Sequence, residues 1–407
     1  MTLPRILVIV NVFEPDLGGG VLFADLCYGL AERGFDVTVR CAYPYYPEWR
    51  DKSGQNGVRI SRASERGVTV ERHGIYIPKN PNSLSERLTY EASFFGSLMR
   101  QIPSRRDFDA MMVFCPLIGA VAYAAVCRRL TGIPLWLNVQ DLAAEAAEAG
   151  GISSGSIAGV AVRIQDSLFN QADVWSTISP AMVERLDGRR RKSQPLMYIP
   201  NWLHGSLRDA IARQPAKIGR EPDTPVKLLY SGNIGSKQAL LEFCGALRAS
   251  DADFHFRVQG DGSEGARLHK WISHSGDRRF SFHALTDEEG LARAMYESDF
   301  FVITEREGVG GSFIPSKLIP ALAATTPILA VCDAESPLGR EMEAFQPGFR
   351  TNWSRISDLA PFLRNVPSSD FIHWQNNAAR RAPFYERERV LGLYEEALRR
   401  MPGLTDN

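Results

Sequence analysis

Short apolar runs alternate with amphipathic stretches along most of the 407 residues. In the first half, ILVIVNV (6–12), DVTVRCA (36–42), GVTVERH (67–73), AMMVF (110–114), PLWLNVQ (134–140) and DVWSTIS (173–179) read as strands. Between most of them lie segments with helical spacing, such as GVLFADLCYGLAERG (20–34) and GVAVRIQDSLFNQA (159–172). Near-continuous apolar strands separated by helices are what a parallel sheet covered on both faces requires. The alternation stops over 199–225, where prolines and charges replace periodicity, so this segment is the expected linker. It restarts with VKLLYSG (226–232), FHFRVQG (254–260), FSFHAL (280–285), DFFVIT (299–304) and PILAVC (327–332).

The expected fold class is therefore α/β, with two doubly wound, Rossmann-like parallel-sheet domains in tandem. The first covers 1–203 and the second 204–383. A helix within 384–407, with Val390, Leu391, Tyr394 and Leu398 as its apolar stripe, is expected to pack across the junction. Ligands of such sheets bind beyond the carboxyl ends of the strands, which makes the cleft between two such domains the default site.

Composition narrows the function classes. Lys+Arg 47 balances Asp+Glu 47, so no whole-chain field points to nucleic acid. Six scattered cysteines without C-x-x-C spacing read as buried free thiols rather than a zinc site or a disulfide framework. The uncharged run at 110–127 is long enough for a membrane span, but Pro116 and Gly119 divide it into a strand, a turn and a helix. The N-terminus has no small-residue cleavage site and does not read as a signal peptide. Residues 83–106 predict a helix with two apolar lines. Leu84, Leu88, Ala92, Phe95 and Met99 are expected on the sheet. Tyr90, Phe94 and Leu98 are expected on a second exposed ridge that, with Arg100, Arg105, Arg106 and the RRRK run at 189–192, suits an anionic membrane surface.

Four strand ends in the second half carry residues suited to a nucleotide. SGNIGSKQ places Gly232, Asn233, Gly235 and Lys237 where a strand turns into a helical pattern. VQGDGSEG supplies Gly260, Asp261 and Gly262, and HALTDEE follows another strand with Leu285 and a Thr286/Glu289 capping-box spacing. TEREGVGGSFIPSKL carries Glu305, Glu307, Ser316, Lys317 and Leu318, with Pro315 at a helix start. Two lysines on separate helix starts, both after glycine turns, suit a diphosphate without a metal. No G-x-x-x-x-G-K-[ST] is present, which excludes a P-loop. In the first half, Gly18, Gly19 and Gly20 follow the first strand too late for a dinucleotide fingerprint and read as a flexible loop facing the cleft. Gln140, Asp141 and Glu145 follow a later strand, where Asp141 also suits a helix cap.

Together YSGNIGSKQALLEF, VQGDG, PSKL, the triple glycine and AYPYYPEW (42–49) resemble the family 4 glycosyltransferases of GT-B fold, in particular the bacterial exopolysaccharide, colanic acid and O-antigen L-fucosamine type. The resemblance implies retaining transfer from a nucleotide-diphosphate sugar, a UDP-sugar with a GDP-sugar as alternative, and no metal or other cofactor. It implies a polyprenyl-diphosphate-linked saccharide acceptor, no nucleic acid partner, and a cytoplasmic protein attached peripherally to the inner face of the membrane. Lys237, Lys317 and Asp141 become the expected catalytic residues. Gly18, Gly19, Gly20, Gly232, Asn233, Gly260, Asp261, Leu285, Glu305, Glu307, Ser316 and Leu318 become the expected nucleotide-sugar contacts. Asn233 stands where many relatives have arginine, Gln140 where they have histidine, and Ser312 and Pro320 where they have two glutamates. An epimerase or a donor-binding subunit without catalysis remains an alternative.

Overall fold

In the computed structural model, which describes residues 3–81, 83–142, 156–216, 219–221, 224–309 and 314–401, the apolar runs become strands of two sheets. The chain forms two units: Met1–Pro200 with Val390–Asn407, and Asn201–Arg389. In the first unit β1 (Arg5–Ile9), β2 (Asp36–Ala42), β3 (Ser61–Glu65), β4 (Val68–His73), β5 (Ala110–Cys115), β6 (Leu135–Val139), β7 (Val174–Thr177) and β8 (Leu196–Tyr198) are arranged in the order β3-β4-β2-β1-β5-β6-β7-β8. Only β3 is antiparallel to its neighbour. The second unit holds β9 (Val226–Asn233), β10 (Phe254–Asp261), β11 (Phe280–His283), β12 (Phe300–Thr304), β13 (Ile328–Val331) and β14 (Gly348–Thr351), all parallel, in the order β11-β10-β9-β12-β13-β14. Both orders reverse direction once, between β1 and β5 and between β9 and β12. At such a reversal the flanking connections leave on opposite faces and open a crevice at the carboxyl ends.

The interior strands are buried on both faces. In the second sheet Leu228, Tyr230, Phe256 and Val302 pack on one side, and Leu229, Phe301, Ile303 and Ala330 on the other. The run at 110–127 is β5 followed by the helix Ile118–Thr131, and among the described residues no helix is long and apolar enough to cross a membrane. All six cysteines are free and buried.

Several expectations need correction. The supposed linker contains the helix Gly205–Ala212, whose Leu207 and Ala210 are buried, with Leu207 in the core of the second unit. Residues 384–389 belong to the second unit, whereas 390–407 return to the first. There the helix Arg387–Arg399 stacks Tyr394 on Trp136, with ring centroids 5.4 Å apart. The Asn138 amide donates to the Tyr394 hydroxyl (3.0 Å) and to Ser176 Oγ (2.9 Å), so this buried contact is also polar and directional.

The helix Leu84–Leu98 presents the reverse of the expected faces. Phe94 and Leu98 are fully buried and Tyr90 nearly so, while Leu84 and Leu88 are 45% and 60% exposed. Two apolar lines at helical spacing are equivalent in the sequence; close packing against the neighbouring helix decides between them. A Cβ at Gly119 would lie 2.3 Å from the Glu91 carbonyl oxygen, so the two helices meet through this glycine. The basic groups nearby are engaged: Arg100 donates to the Val58 carbonyl and Arg105 to that of Gly132. Phe94→Ala is expected to destabilise the protein by about 3–5 kcal/mol, and Leu88→Ser by no more than about 0.5 kcal/mol, in chemical denaturation. Similar small losses for both would restore the original assignment of faces.

Candidate functional site

At the reversal point of the second sheet, the turns after β9 and β12 and the chain ahead of the helix Leu318–Ala323 enclose a cavity of about 180 Å³. Asn233, Lys237, Glu305, Ser316 and Lys317 line it, so five predicted residues from three segments converge. Tyr230, Gln238 and Thr304 also line it and were missed, because they read as strand ends or turn residues rather than as ligand groups. A larger cavity of about 240 Å³ lies at the amino-terminal end of β13, among Ile211, Met295, Ala324 and Thr326, and none of its lining residues is charged.

Lys317 organises the smaller cavity. Its ammonium lies 3.7 Å from the centroid of the Tyr230 ring, and donates to the Tyr230 hydroxyl and to the Asn233 carbonyl (3.2 Å). Tyr230 is fully buried and its hydroxyl donates to that same carbonyl. Lys317 thus has neutral partners and no ion pair among the described residues. Removal from water without a counter-charge lowers its pKa to about 7. Gly232 is required here: its φ is +120°, and a Cβ would lie 2.9 Å from Lys317 Cε. Gly260 answers a neighbouring constraint, since its Cβ would lie 2.1 Å from the Gly232 carbonyl.

Lys237 is exposed on a 3-10 turn, Ser236–Gln238, and Ala239 in left-handed conformation separates that turn from the helix Leu240–Arg248. It therefore precedes the helix rather than opening it. Gln238 Oε1 caps the turn by accepting from the Gly235 N–H (2.9 Å). The Arg306 N–H donates to the Lys237 carbonyl (2.7 Å), which joins the turn to the chain after β12. No carboxylate pairs with the Lys237 ammonium among the described residues. Across the cavity Glu305 accepts from Ser336 Oγ (2.9 Å), and burial, aided by the Asp333 charge, raises its pKa to about 7 against the hydrogen bond.

Other predicted positions lie elsewhere. Leu318 is fully buried in the core, so its side chain is structural. Glu307 and Asp261 are exposed, Leu285 is 54% exposed, and none of the three lines the cavity. Thr286 does not cap the following helix. Asp287 does, accepting from the Gly290 N–H (2.9 Å), while Gln259 donates to Thr286 Oγ1 (3.3 Å). Pro320 sits within Leu318–Ala323, and Glu145 and Ser312 lie outside the described residues.

The remaining predicted residues belong to the first unit. Gly18–Gly20 do not form a loop: Gly18 caps the helix Gly19–Glu32, and Gly19 and Gly20 open it. Asp141 is half-buried and accepts from the Leu142 N–H (2.7 Å), and the chain it was expected to cap lies outside the described residues. Gln140 donates to Asn138 Oδ1 (2.7 Å). The reversal point of this sheet is already occupied by a protein carboxyl group. Glu91 accepts from the Gly119 N–H (2.7 Å) at the start of Ile118–Thr131, and burial raises its pKa to about 7. Among the described residues no group of His, Cys, Asp and Glu is arranged to hold a metal ion.

Residues 18–202 match the family described as glycosyl transferase 4-like domain. The chain is 28% identical over 356 residues to the putative colanic acid biosynthesis glycosyl transferase WcaI of Escherichia coli K12, covering 84% of this chain and 87% of that protein. Among solved structures it resembles sucrose-phosphate synthase from Thermosynechococcus elongatus, with TM-score 0.68, 16% identity and 97% and 98% of the two chains covered. It also resembles Anabaena HepE in complex with UDP and glucose, with TM-score 0.65, 14% identity and 97% and 99% covered.

A cation kept without a counter-charge penalises the fold for as long as it is charged. The Lys317 penalty is complete below about pH 7 and disappears as pH rises toward the ordinary value of 10.5, because between those limits the unfolded chain binds the extra proton. Lys317→Met is therefore expected to be more stable than wild type at pH 7, with the gap narrowing as the pH is raised in matched denaturation curves. A gap independent of pH would mean that the ammonium is ordinarily solvated.

Proposed function

Since this chain belongs to the family 4 glycosyltransferases of GT-B fold, we propose that it transfers a sugar, with retention, from a nucleotide-diphosphate sugar to a saccharide acceptor in surface polysaccharide synthesis. The second unit takes the donor, and the first takes the acceptor. The observation that carries this reading is the convergence of Lys237 and Lys317, neither paired with a carboxylate among the described residues, on one cavity at the reversal point of the second sheet. Breaking the bond between the sugar and the diphosphate places negative charge on the leaving group. Cations already fixed where that charge develops lower the barrier, and they supply the countercharge without a metal. Lys317 also offsets the missing arginine: its ammonium reaches the backbone of Asn233 itself. Asp141 is assigned to the acceptor side of the reaction. Glu305, with a pKa near 7, is assigned to a donor hydroxyl in place of the absent family carboxylates.

The donor is proposed to be a UDP-sugar, in line with the HepE complexes containing UDP and UDP-glucose. A GDP-sugar is the alternative. Pro320, which carries no carboxylate where relatives have one, favours a second reading, a subunit that binds donor without transferring it. Melting curves with UDP-, GDP- and dTDP-sugars identify the ligand, because a compound that binds only the native state raises the melting temperature. Lys237→Ala is expected to retain the wild-type melting temperature and to lose about 10²–10³ in transfer rate. Unchanged turnover would remove Lys237 from the site. Donor binding without any glycosylated product in wild type would establish the second reading.

For the acceptor we propose a polyprenyl-diphosphate-linked saccharide, reached from a peripheral position on the cytoplasmic leaflet. Leu84 and Leu88 supply the exposed apolar edge, with exposed Arg87 between them and Lys79 nearby. Basic groups beside exposed leucines suit an anionic leaflet, where each cation contributes roughly 1 kcal/mol. Leu84→Ser/Leu88→Ser is expected to reduce flotation with phosphatidylglycerol vesicles at low salt. Equal flotation of variant and wild type would exclude this edge as the anchor.

A further inference from the structure

The segment Tyr43–Trp49 contributes four aromatic side chains at the carboxyl ends of β1 and β2, and none has a part in the chemistry described above. Tyr43 and Tyr45 are buried, whereas Tyr46 and Trp49 are half-exposed. The ring centroids of Tyr45, Tyr46 and Tyr90 lie 5.7, 6.0 and 5.9 Å from that of Trp49, at interplanar angles of 62°, 80° and 59°. All three tyrosines thus approach the indole at steep angles, and among the described residues no ring is stacked parallel to it. Beneath it, Asn11 donates to the hydroxyls of Tyr45 and Tyr90, both at 3.1 Å, and these hydroxyls bond to each other.

This cluster is rigidly supported. The Asp16 carboxylate, 1% exposed, accepts from the N–H groups of Tyr45 (3.0 Å) and Tyr46 (3.1 Å) and pairs with Lys52 (3.0 Å). Lys52 in turn donates to the Tyr46 carbonyl (2.6 Å) and pairs with Glu48 (3.1 Å). The triple glycine gives Asp16 its place, since a Cβ at Gly20 would lie 2.9 Å from Asp16 Cβ. Trp49 itself is held at φ +51°, a conformation a bulky residue adopts only when its surroundings impose it.

We propose that Trp49 is a platform on which a neutral pyranose ring of the acceptor saccharide stacks, with the nearly perpendicular Tyr46 ring as its side wall. The carbon-bound hydrogens on one face of such a ring carry partial positive charge and match the negative face of an aromatic ring, while its hydroxyls require hydrogen-bonding groups at the rim. A preorganised platform avoids the ordering cost of assembling one on binding. A nucleotide fits poorly here: Lys52 is committed to Asp16 and Glu48, and Glu91 already occupies the anion position of this sheet. The inference rests on the first unit being the acceptor side, and it assigns a chemical class and two residues to that side.

The test uses the full chain labelled with 5-fluorotryptophan, with the Trp49 resonance identified among the seven tryptophans by Trp49→Phe. The probes are methyl α-D-glucopyranoside, methyl α-D-galactopyranoside, methyl α-L-fucopyranoside, mannitol as an acyclic polyol, and phosphatidylglycerol vesicles. The expected result is a saturable shift of the Trp49 resonance with at least one pyranoside and none with mannitol. In saturation-transfer measurements, Tyr46→Ala and Trp49→Ala should each weaken that pyranoside by about tenfold or more. The melting-temperature rise with nucleotide sugar should be the same in both variants as in wild type. No shift with any pyranoside, an equal shift with mannitol, or a response only to vesicles overturns the platform. If nucleotide sugars still raise the melting temperature in that case, the donor-site reading stands and the platform alone has failed.

Discussion

A lysine ammonium held against a buried tyrosine, with no carboxylate among the described residues to neutralise it, is the constraint around which the second unit is arranged. Tyr230 must lie on a buried face of β9 for its ring to lie beneath Lys317, and Gly232 must lack a Cβ for the lysine stem to pass. The close approach of β10 then requires Gly260 beside Gly232. Such an arrangement lowers stability at neutral pH, and a fold selected for stability alone would have no reason to keep it. A ligand that brings negative charge offsets the desolvation, which is why the arrangement points to a bound anion more directly than the glycines do.

The two sheets share a strand order around their reversal points and use those points differently. In the second, cations on separate segments face one cavity. In the first, the Glu91 carboxylate satisfies the start of Ile118–Thr131, and the position where an anion would sit is already taken. The duplicated architecture therefore does not give duplicated chemistry. The two reversal points thus present opposite charges to whatever approaches them, lysines in one and a carboxyl group in the other.

Most interior strands were legible because burial on both faces leaves an unbroken apolar run. The three strands not anticipated, β3, β8 and β14, are all at sheet edges, where one side lacks a neighbour and the apolar signal fades. Lys237, Asn233, Ser316, Lys317 and Glu305 were legible because polar residues at successive strand ends converge in a doubly wound sheet whatever its details. Tyr230 was not, since a buried tyrosine in a strand looks like core until a lysine is seen stacked upon it. The reversed faces of Leu84–Leu98 and the core position of Leu318 have a common cause: helical periodicity identifies an apolar line without saying what lies opposite. The triple glycine was read as a mobile segment, whereas its contacts show that it makes room for Asp16.

The Tyr394 hydroxyl bonded to Asn138 has a consequence for the order in which the protein is made. The second unit is a continuous stretch, and all of its strands have left the ribosome before residue 394 is synthesised. The first unit is discontinuous: Trp136 lacks its stacking partner, and Asn138 one of its acceptors, until the last helix emerges. The unit begun first is thus the one completed last, and the chain must carry an unfinished amino-terminal core through the synthesis of the whole second unit.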